Sequence, residues 1–466
     1  MIFNSLEFLI FFIIFIIVWT FVKKKDNSRW IAIVLFSLVF YGWWDWRYII
    51  LLIFTGTLDF FCAILIEKYN KFSRSILIVS ILCNIGVLGY FKYFYFLAAN
   101  FNFLFGYFHI TQYEFRLQNI ILPLGISFYT FQSISYTVDV YRKELKPTYN
   151  IFHFFSAITF FPHLVAGPIM RSAKLLPQLL TYKSPNSQEK WWALNQIVHG
   201  FFKKMVIADN LAFCVNESFA GRVGTNNFLN WSAIVFMFAM QIYCDFSGYS
   251  DIARGTAKLL GYDFSINFNH PYFSTSLREF WTRWHISLSS WFRDYVFIPL
   301  GGSRTKNILL YRNLFLTMTL SGLWHGAAWT YIAWGVYHGI IQIFERITKW
   351  PDKLKVNKIG YFVAWLLVFT QVLLGWIFFR ATDIRQAFNI ISYFGVFSHQ
   401  FDISKVALFF VFLGVIHEIY RFIIETGKNT SRNSFVPLFD FIILVITSVA
   451  CILLRGPGNT FIYFQF

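Results

Sequence analysis

The stretch TMTLSGLWHGAAWTYIAW (residues 317–334) places one histidine, His325, inside a run without charged side chains. A helix needs about 20 mainly apolar residues to cross the hydrocarbon core of a bilayer, and this run approaches that length. Similar apolar runs recur from Leu6 almost to the end of the chain. We therefore predict an all-α polytopic membrane protein with about eleven transmembrane helices plus re-entrant or interfacial helices.

The composition supports this class. Hydrophobic residues make up 57% of the chain and charged residues 14%, against about 45–50% and about 25% in soluble proteins. The net charge of +17 could indicate nucleic-acid binding, but lysine and arginine lie in short segments between apolar runs. That distribution is typical of positive-inside topology. We predict contact with membrane lipids and no nucleic-acid partner.

The first three loops predict the orientation. The apolar run of residues 6–22 is followed at once by KKK (residues 23–25), without a small-residue cleavage site, which favours a retained span over a signal peptide. Residues 68–74 are also basic, whereas the intervening turn, residues 42–47, is rich in tryptophan. The positive-inside rule then places the N-terminus outside the cytoplasm.

The five cysteines lie in apolar surroundings, without CxxC or His-paired spacing. Buried thiols are therefore expected rather than disulfides or zinc ligands. We predict no metal site.

The segment FWTRWHISLSSWFRDY (residues 280–295) alternates apolar and polar residues at helical spacing. Trp281, Trp284 and Trp291 fall on one side, which predicts an amphipathic helix with His285 on its flank. Pro299 and the glycines after it end the pattern. Such a helix could line a cavity, or it could anchor the protein at the membrane interface.

Two histidines in this region are candidates for catalysis. Gly322 and Gly326 flank His325 one turn apart, where small residues allow another backbone to approach. Packing does not explain the imidazole, which must be hydrogen-bonded or solvated at this depth. An imidazole can take a proton from an attacking hydroxyl and return it to a leaving group, so His325 and His285 together would suit acyl transfer. No GxSxG or Cys–His signature indicates a covalent triad.

Residues 281–304 (WTRWHISLSSWFRDYVFIPLGGSR) and 321–339 (SGLWHGAAWTYIAWGVYHG) resemble the two signature segments of the bacterial branch of the membrane-bound O-acyltransferase family. Residues 122–142, 160–171 and 245–255 are similar to the same branch, so the resemblance covers about residues 80–345. One departure is His285, where many distant members carry asparagine.

The resemblance implies a site and a reaction. His325 matches the central catalytic histidine and His285 the second active-site position, within a ring of membrane helices around a cavity. The family takes acetyl groups from a cytoplasmic donor, acetyl-CoA here, without a bound cofactor. It passes them to an extracytoplasmic partner O-acetyltransferase that esterifies a polysaccharide such as peptidoglycan or an alginate-like polymer. The implied location is the bacterial inner membrane.

We predict that residues 1–466 form a single membrane domain, with N-terminal helices in 1–80, a family core in 80–345 and C-terminal helices in 346–466.

Other polar residues have weaker assignments. Arg283 and Arg293, with Arg278 and Arg304, could bind the phosphates of the donor, or anchor the protein at the membrane surface. The remaining candidates are an Asp251–Arg254 ion pair, a packing role for His338, and cavity-lining or helix-capping roles for Asp245, His163 and His270.

Two other function classes remain open. A transporter or flippase of an acylated lipid would also place polar groups in the membrane, but the sequence shows none of the internal repeats typical of that class. D-alanyl transfer to teichoic acid belongs to a related branch. A purely structural membrane protein would leave His325 without a role.

Overall fold

The computed structural model describes residues 1–110, 115, 120–222, 224–427, 436–459 and 461–462. These residues form 21 α-helices, and no strand is present among them. The predicted all-α class is therefore confirmed.

The chain divides into two compact units. The first comprises Met1–Lys190 and Thr256–Ser265, and the second comprises Trp191–Gly255 and Ile266–Phe466. The helices of the first unit are α1 (Leu6–Val22), α2 (Asp26–Gly42), α3 (Tyr48–Lys68), α4 (Ser73–Leu88), α5 (Phe94–Tyr107), α6 (Ile126–Tyr141), α7 (Ile151–Ile158), α8 (Phe161–Leu164) and α9 (Ser172–Leu180).

Two further helices contribute residues to both units, and ten belong to the second. The former are α10 (Ser187–Phe201) and α12 (Phe228–Leu259). The helices of the second unit alone are α11 (Asp209–Phe219), α13 (Leu277–Arg283), α14 (Ile286–Phe292), α15 (Asn307–His325), α16 (Trp329–Thr348), α17 (Trp350–Leu354), α18 (Lys358–Arg380), α19 (Ile384–Tyr393), α20 (Lys405–Gly427) and α21 (Val436–Leu453).

Helix α1 is apolar around its whole circumference, because one side packs against the protein and the other is exposed. Phe8, Phe11, Phe15 and Trp19 recur every three or four residues and are buried. The opposite side exposes leucine and isoleucine, including Ile13, which is 52% exposed. Isoleucine in that position is favourable in contact with lipid and unfavourable in water. The sequence pattern predicted this helix with its observed bounds.

Five helical stretches of the described chain are long and apolar enough to cross a membrane: Tyr48–Lys68, Asn70–Tyr107, Phe228–Leu259, Lys358–Arg380 and Lys405–Thr426. Two shorter apolar helices, Leu6–Val22 and Leu438–Leu453, add to them. The chain is therefore an integral membrane protein, while the number of eleven spans stays a prediction.

Two mainly apolar stretches of the sequence form two helices each rather than one. In residues 152–165, α7 ends at Ile158 and the short α8 begins at Phe161. In the run of residues 317–334, α15 ends at His325 and α16 begins at Trp329. Hydropathy alone does not distinguish a span from a hairpin of two buried helices.

The core of the second unit is unusually aromatic. Trp284, Trp334 and Trp376 are each at most 2% exposed, and the centroids of the Trp284 and Trp376 rings lie 4.9 Å apart. Helix α12, 32 residues long, supplies Phe238 and Tyr243 to the same core. Large rigid side chains thus surround the segment that contains both candidate histidines.

Candidate functional site

Helices α15 and α16 form an antiparallel hairpin with very close backbone contact. A Cβ atom added to Gly322 would lie 2.3 Å from the carbonyl oxygen of Tyr331, and one added to Gly335 would lie 2.4 Å from that of Met318. No side chain fits at either position. The predicted close approach at Gly322 is therefore confirmed, and its partner is the next helix.

His325 is the last residue of α15, at the turn of this hairpin. Gly326 follows in an extended conformation, with φ −166° and ψ 155°. The imidazole is 3% exposed and meets the rings of Trp324, Trp334 and Phe379 at centroid distances of 5.0, 5.1 and 5.2 Å. The end of a helix, rather than its middle, thus presents this histidine.

His285 lies at a break between two short helices. A single amphipathic helix over residues 280–295 was expected, and this is wrong, because α13 ends at Arg283 and α14 begins at Ile286. His285 has φ 41° and ψ 55°, in the left-handed region. The backbone carbonyl of Asn267 accepts a hydrogen bond from Ile286 N at 2.9 Å, which stabilises the break from a distant part of the chain.

The His285 side chain is fully buried. Its Nδ1 lies 3.1 Å from Asn267 Oδ1, and its ring meets Phe246 edge to face, with centroids 4.6 Å apart. Burial lowers the pKa of His285 to about 3, so the imidazole is neutral at physiological pH. His285 is therefore available as a neutral hydrogen-bonding group rather than as a cation.

Both candidate histidines contact the same tryptophan. The Trp324 ring lies 6.2 Å from the His285 ring and 5.0 Å from the His325 ring, centroid to centroid. The signature segments that carry them are thus brought together in the second unit.

A cavity of about 330 Å³ is lined by residues close to this pair in the chain, among them Ile286 and Ser321, but not by either histidine. On α15 it follows one face from Leu314 to Ser321, which is one turn before His325. Thr317 and Met318 of α15 also line it, and the other lining residues come from α13, α14, α16 and the segment after α14: Arg278, Trp281, Thr282, Ile286, Ser289, Ser290, Phe292, Arg293, Phe297 and Gln342. The lining thus includes two arginines, Arg278 and Arg293, and Ser321, which lies one helical turn from His325.

The structure separates the candidate arginines. Arg278 and Arg293 line the cavity. Arg293 also forms an ion pair with Asp294 at 2.6 Å, and 62% of its side chain is exposed. Arg283 does not line the cavity; it forms an ion pair with Glu279 at 2.8 Å. Arg304 is exposed in the segment before α15.

The other polar candidates lie in contacts of their own. Arg254 and Asp251 form the expected pair at 3.9 Å, but Asp251 makes a closer one with Lys203 at 2.8 Å. His338 is buried, with its ring 4.9 Å from the Trp334 ring, as packing would require. The remaining contacts are His163 with Phe264 in the first unit, and Asp245 with Lys204 at 2.8 Å in the second.

Sequence reasoning missed a buried cluster around His270. Its Nδ1 lies 2.6 Å from a carboxylate oxygen of Glu418, and its Nε2 lies 3.1 Å from one of Glu425. Burial alone would lower the pKa of His270, but the two carboxylates raise it to about 9. The signal available in the sequence was the presence of acidic residues within the apolar run of α20.

Comparison with known proteins gives a consistent result. The model of the membrane-bound O-acyltransferase family matches residues 141–382. The Pseudomonas aeruginosa protein named probable alginate O-acetylase AlgI is 38% identical over 396 residues, which cover 84% of this chain and 74% of that protein. The Helicobacter pylori peptidoglycan O-acetyltransferase is 35% identical over 390 residues, covering 77% and 72%.

A more distant relative is the teichoic acid D-alanyltransferase of Bacillus subtilis, 33% identical over 252 residues that cover 51% of this chain and 62% of that protein. The matched residues 141–382 include both histidines and the whole lining of the cavity.

Proposed function

This chain belongs to the membrane-bound O-acyltransferase family, and from that premise we propose that it is an O-acetyltransferase acting in the acetylation of an extracytoplasmic polysaccharide. The observation that carries the proposal is the joint contact of His285 and His325 with Trp324, beside a cavity with a basic wall. Curated relatives named for alginate and for peptidoglycan acetylation support a polysaccharide as the final acceptor.

The reaction can be written for the groups present. His325 takes the proton from an acceptor hydroxyl as the oxygen attacks the carbonyl carbon of an acetyl thioester. The new carbon–oxygen bond forms, the carbon–sulfur bond breaks, and the proton passes to the departing thiolate. His285, neutral and held by Asn267, supports the same centre through hydrogen bonding.

Two features of the cavity support a donor of the acetyl-CoA type. Leu314 and Ser321 are seven residues apart on α15, so that face is about 10 Å long at 1.5 Å per residue. Arg278 and Arg293 also line the cavity, from α13 and from the segment after α14, and offer positive charge for phosphates. Ser321 lies one turn from His325, where the thioester carbonyl would have to sit. The donor phosphates and the reacting carbon would thus bind to different parts of one cavity.

We place the chain in the bacterial inner membrane, with the donor arriving from the cytoplasm and a partner O-acetyltransferase receiving the acetyl group outside. The positive-inside pattern of the first loops supports the direction of transfer. D-alanyl transfer is the second candidate, because the teichoic acid D-alanyltransferase is also a relative, although it is matched over a shorter part of the chain.

Transfer of labelled acetyl by the purified protein tests this proposal. Protein in nanodiscs is supplied with acetyl-CoA labelled in the acetyl group, with the partner and the glycan acceptor, and with His325→Ala as the matched control. Label should reach the glycan with the parent protein and fail to do so with the variant. Equal transfer by both proteins, or transfer of a D-alanyl group in preference to acetyl, would refute the assignment.

A further inference from the structure

We propose that Asn267 is a positioning residue that fixes the tautomer of His285, with the proton on Nδ1 and the lone pair on Nε2. Asn267 lies between α12 and α13, 18 residues before His285, and is 1% exposed. The inference rests on the proposed function, in which neutral His285 supports acyl transfer at His325.

The orientation of the Asn267 amide follows from its neighbours. The backbone N–H of Ser287 lies 3.2 Å from Oδ1 and can only donate a hydrogen bond, so the amide atom facing it must be the oxygen. The Ser287 hydroxyl also donates to Oδ1, at 2.8 Å. On the other side, Nδ2 of Asn267 donates to Ser250 Oγ at 3.1 Å. A rotated amide would place NH₂ against a backbone N–H, which is repulsive.

The tautomer of His285 follows from this orientation. Nδ1 lies 3.1 Å from the same oxygen, and an amide oxygen only accepts hydrogen bonds. Nδ1 must therefore carry the proton, and in a neutral imidazole Nε2 then keeps its lone pair. Nε2 of His285 is consequently able to accept a hydrogen bond from a hydroxyl or from a protonated partner.

The main chain of the same segment makes the positioning more rigid. Besides the bond from Ile286 N to the Asn267 carbonyl, the N–H of Asn269 donates to the Arg283 carbonyl at 2.9 Å. These two main-chain bonds remain when the Asn267 side chain is changed, whereas its bonds with Ser287 are lost. The amount of folded protein is therefore measured beside the activity of each Asn267 variant.

Three variants test the inference in the acetyl-transfer assay. Asn267→Ala removes the acceptor for Nδ1–H and should lower kcat by about 10-fold or more, because the group that orients the histidine is lost, with little change in donor KM. Asn267→Asp places a carboxylate at Nδ1, which favours protonated His285, so the acid limb of the pH–rate profile should move to higher pH. Asn269→Ala, on an exposed side chain of the same segment, is the control and should keep the parent kcat.

The results separate failure of this inference from failure of the proposed function. If His285→Ala and His325→Ala lose transfer but Asn267→Ala keeps the parent kcat, the positioning role is refuted and the acyltransferase assignment stands. If both histidine variants keep full transfer, the proposed function fails. Should Asn267→Ala not fold, Asn267→Asp decides: an acid limb that does not move in the folded protein overturns the inference.

Discussion

His285 and His325 both contact the indole of Trp324, although they lie 40 residues apart on separate helical segments. The α13–α14 break supplies one histidine and the turn of the α15–α16 hairpin supplies the other. Each histidine is thus presented by a helix terminus rather than by the face of a long helix.

The two histidines should differ in the size of their effects. His325→Ala removes the proposed base and should lower turnover by about 10²- to 10⁴-fold. His285→Asn should be milder, because an amide still forms hydrogen bonds although it cannot carry a proton. Activity of the parent protein should fall at acid pH, with an apparent pKa that belongs to the pair if the two couple. Steady-state kinetics on monodisperse protein measure the turnover of both variants and the pH dependence of the parent protein. Near-normal turnover of His325→Ala would show that the base is another group.

The cavity arginines should affect donor binding. Arg293→Glu and Arg278→Glu should raise the KM for acetyl-CoA with a smaller change in kcat, because a phosphate contact acts on the ground state and the transition state alike. Arg283→Glu is the comparison, since Arg283 pairs with Glu279 outside the cavity. An unchanged KM in the first two variants, with a raised KM in the third, would move the phosphate site from the cavity to Arg283.

His270 should make stability sensitive to alkaline pH. Its pKa is raised from 6.5 to about 9 between Glu418 and Glu425, near Lys203 and Arg421, which pair with Asp251 and Glu425. When folding raises the pKa of a histidine, the protonated form stabilises the folded protein. This stabilisation is complete below the pKa of the unfolded state and is lost as the pH rises through the pKa of the folded state. The free energy of unfolding then falls by roughly 3 kcal/mol at most.

Melting temperatures between about pH 6 and pH 10 measure this effect. The parent protein should lose stability through pH 9. His270→Gln should melt lower at neutral pH and show a flatter profile. Parallel profiles for the two proteins would exclude the ion-pair role of His270.

The orientation of the chain in the membrane can be tested by labelling cysteines introduced into the first loops. Cysteines introduced at Lys24 and Lys71 should be protected from an impermeant thiol reagent added outside the cell, while one at Trp44 should react. The parent protein is the control for its five native cysteines, of which Cys62 and Cys244 are buried. Labelling at Lys24 and Lys71 but not at Trp44 would reverse the topology and place donor entry on the other side.

The α15–α16 contact should tolerate no added methyl group. Gly335→Ala puts a Cβ 2.4 Å from a backbone oxygen, so the helices must separate, at a cost of about 1–3 kcal/mol. The matched control is Gly86→Ala on α4, where a Cβ meets nothing within 4 Å. That substitution should be neutral or stabilising by up to about 1 kcal/mol. Thermal unfolding in detergent compares the two, and equal midpoints would argue against a close-packed hairpin.

The sequence predicted features that depend on neighbouring residues. Periodicity identified α1, and Gly322, shortly before His325, indicated a close backbone contact. The local sequence could not predict the break at His285, because the hydrogen bond that stabilises it is accepted by the distant Asn267 carbonyl. The partners of His270, 148 and 155 residues away, were equally beyond local reasoning. Local pattern thus indicated which residues were unusual, and long-range contacts determined what they touch.

The left-handed backbone of His285 bears on how this position would respond to selection. Most side chains lose about 1–2 kcal/mol in that conformation, while glycine and asparagine adopt it more readily. A library randomised at residue 285 and enriched for abundant, folded protein should accumulate glycine and asparagine. The same library enriched for acetylated glycan should return histidine. Asparagine, the residue of many distant family members, would satisfy the backbone while giving up the proton-accepting nitrogen.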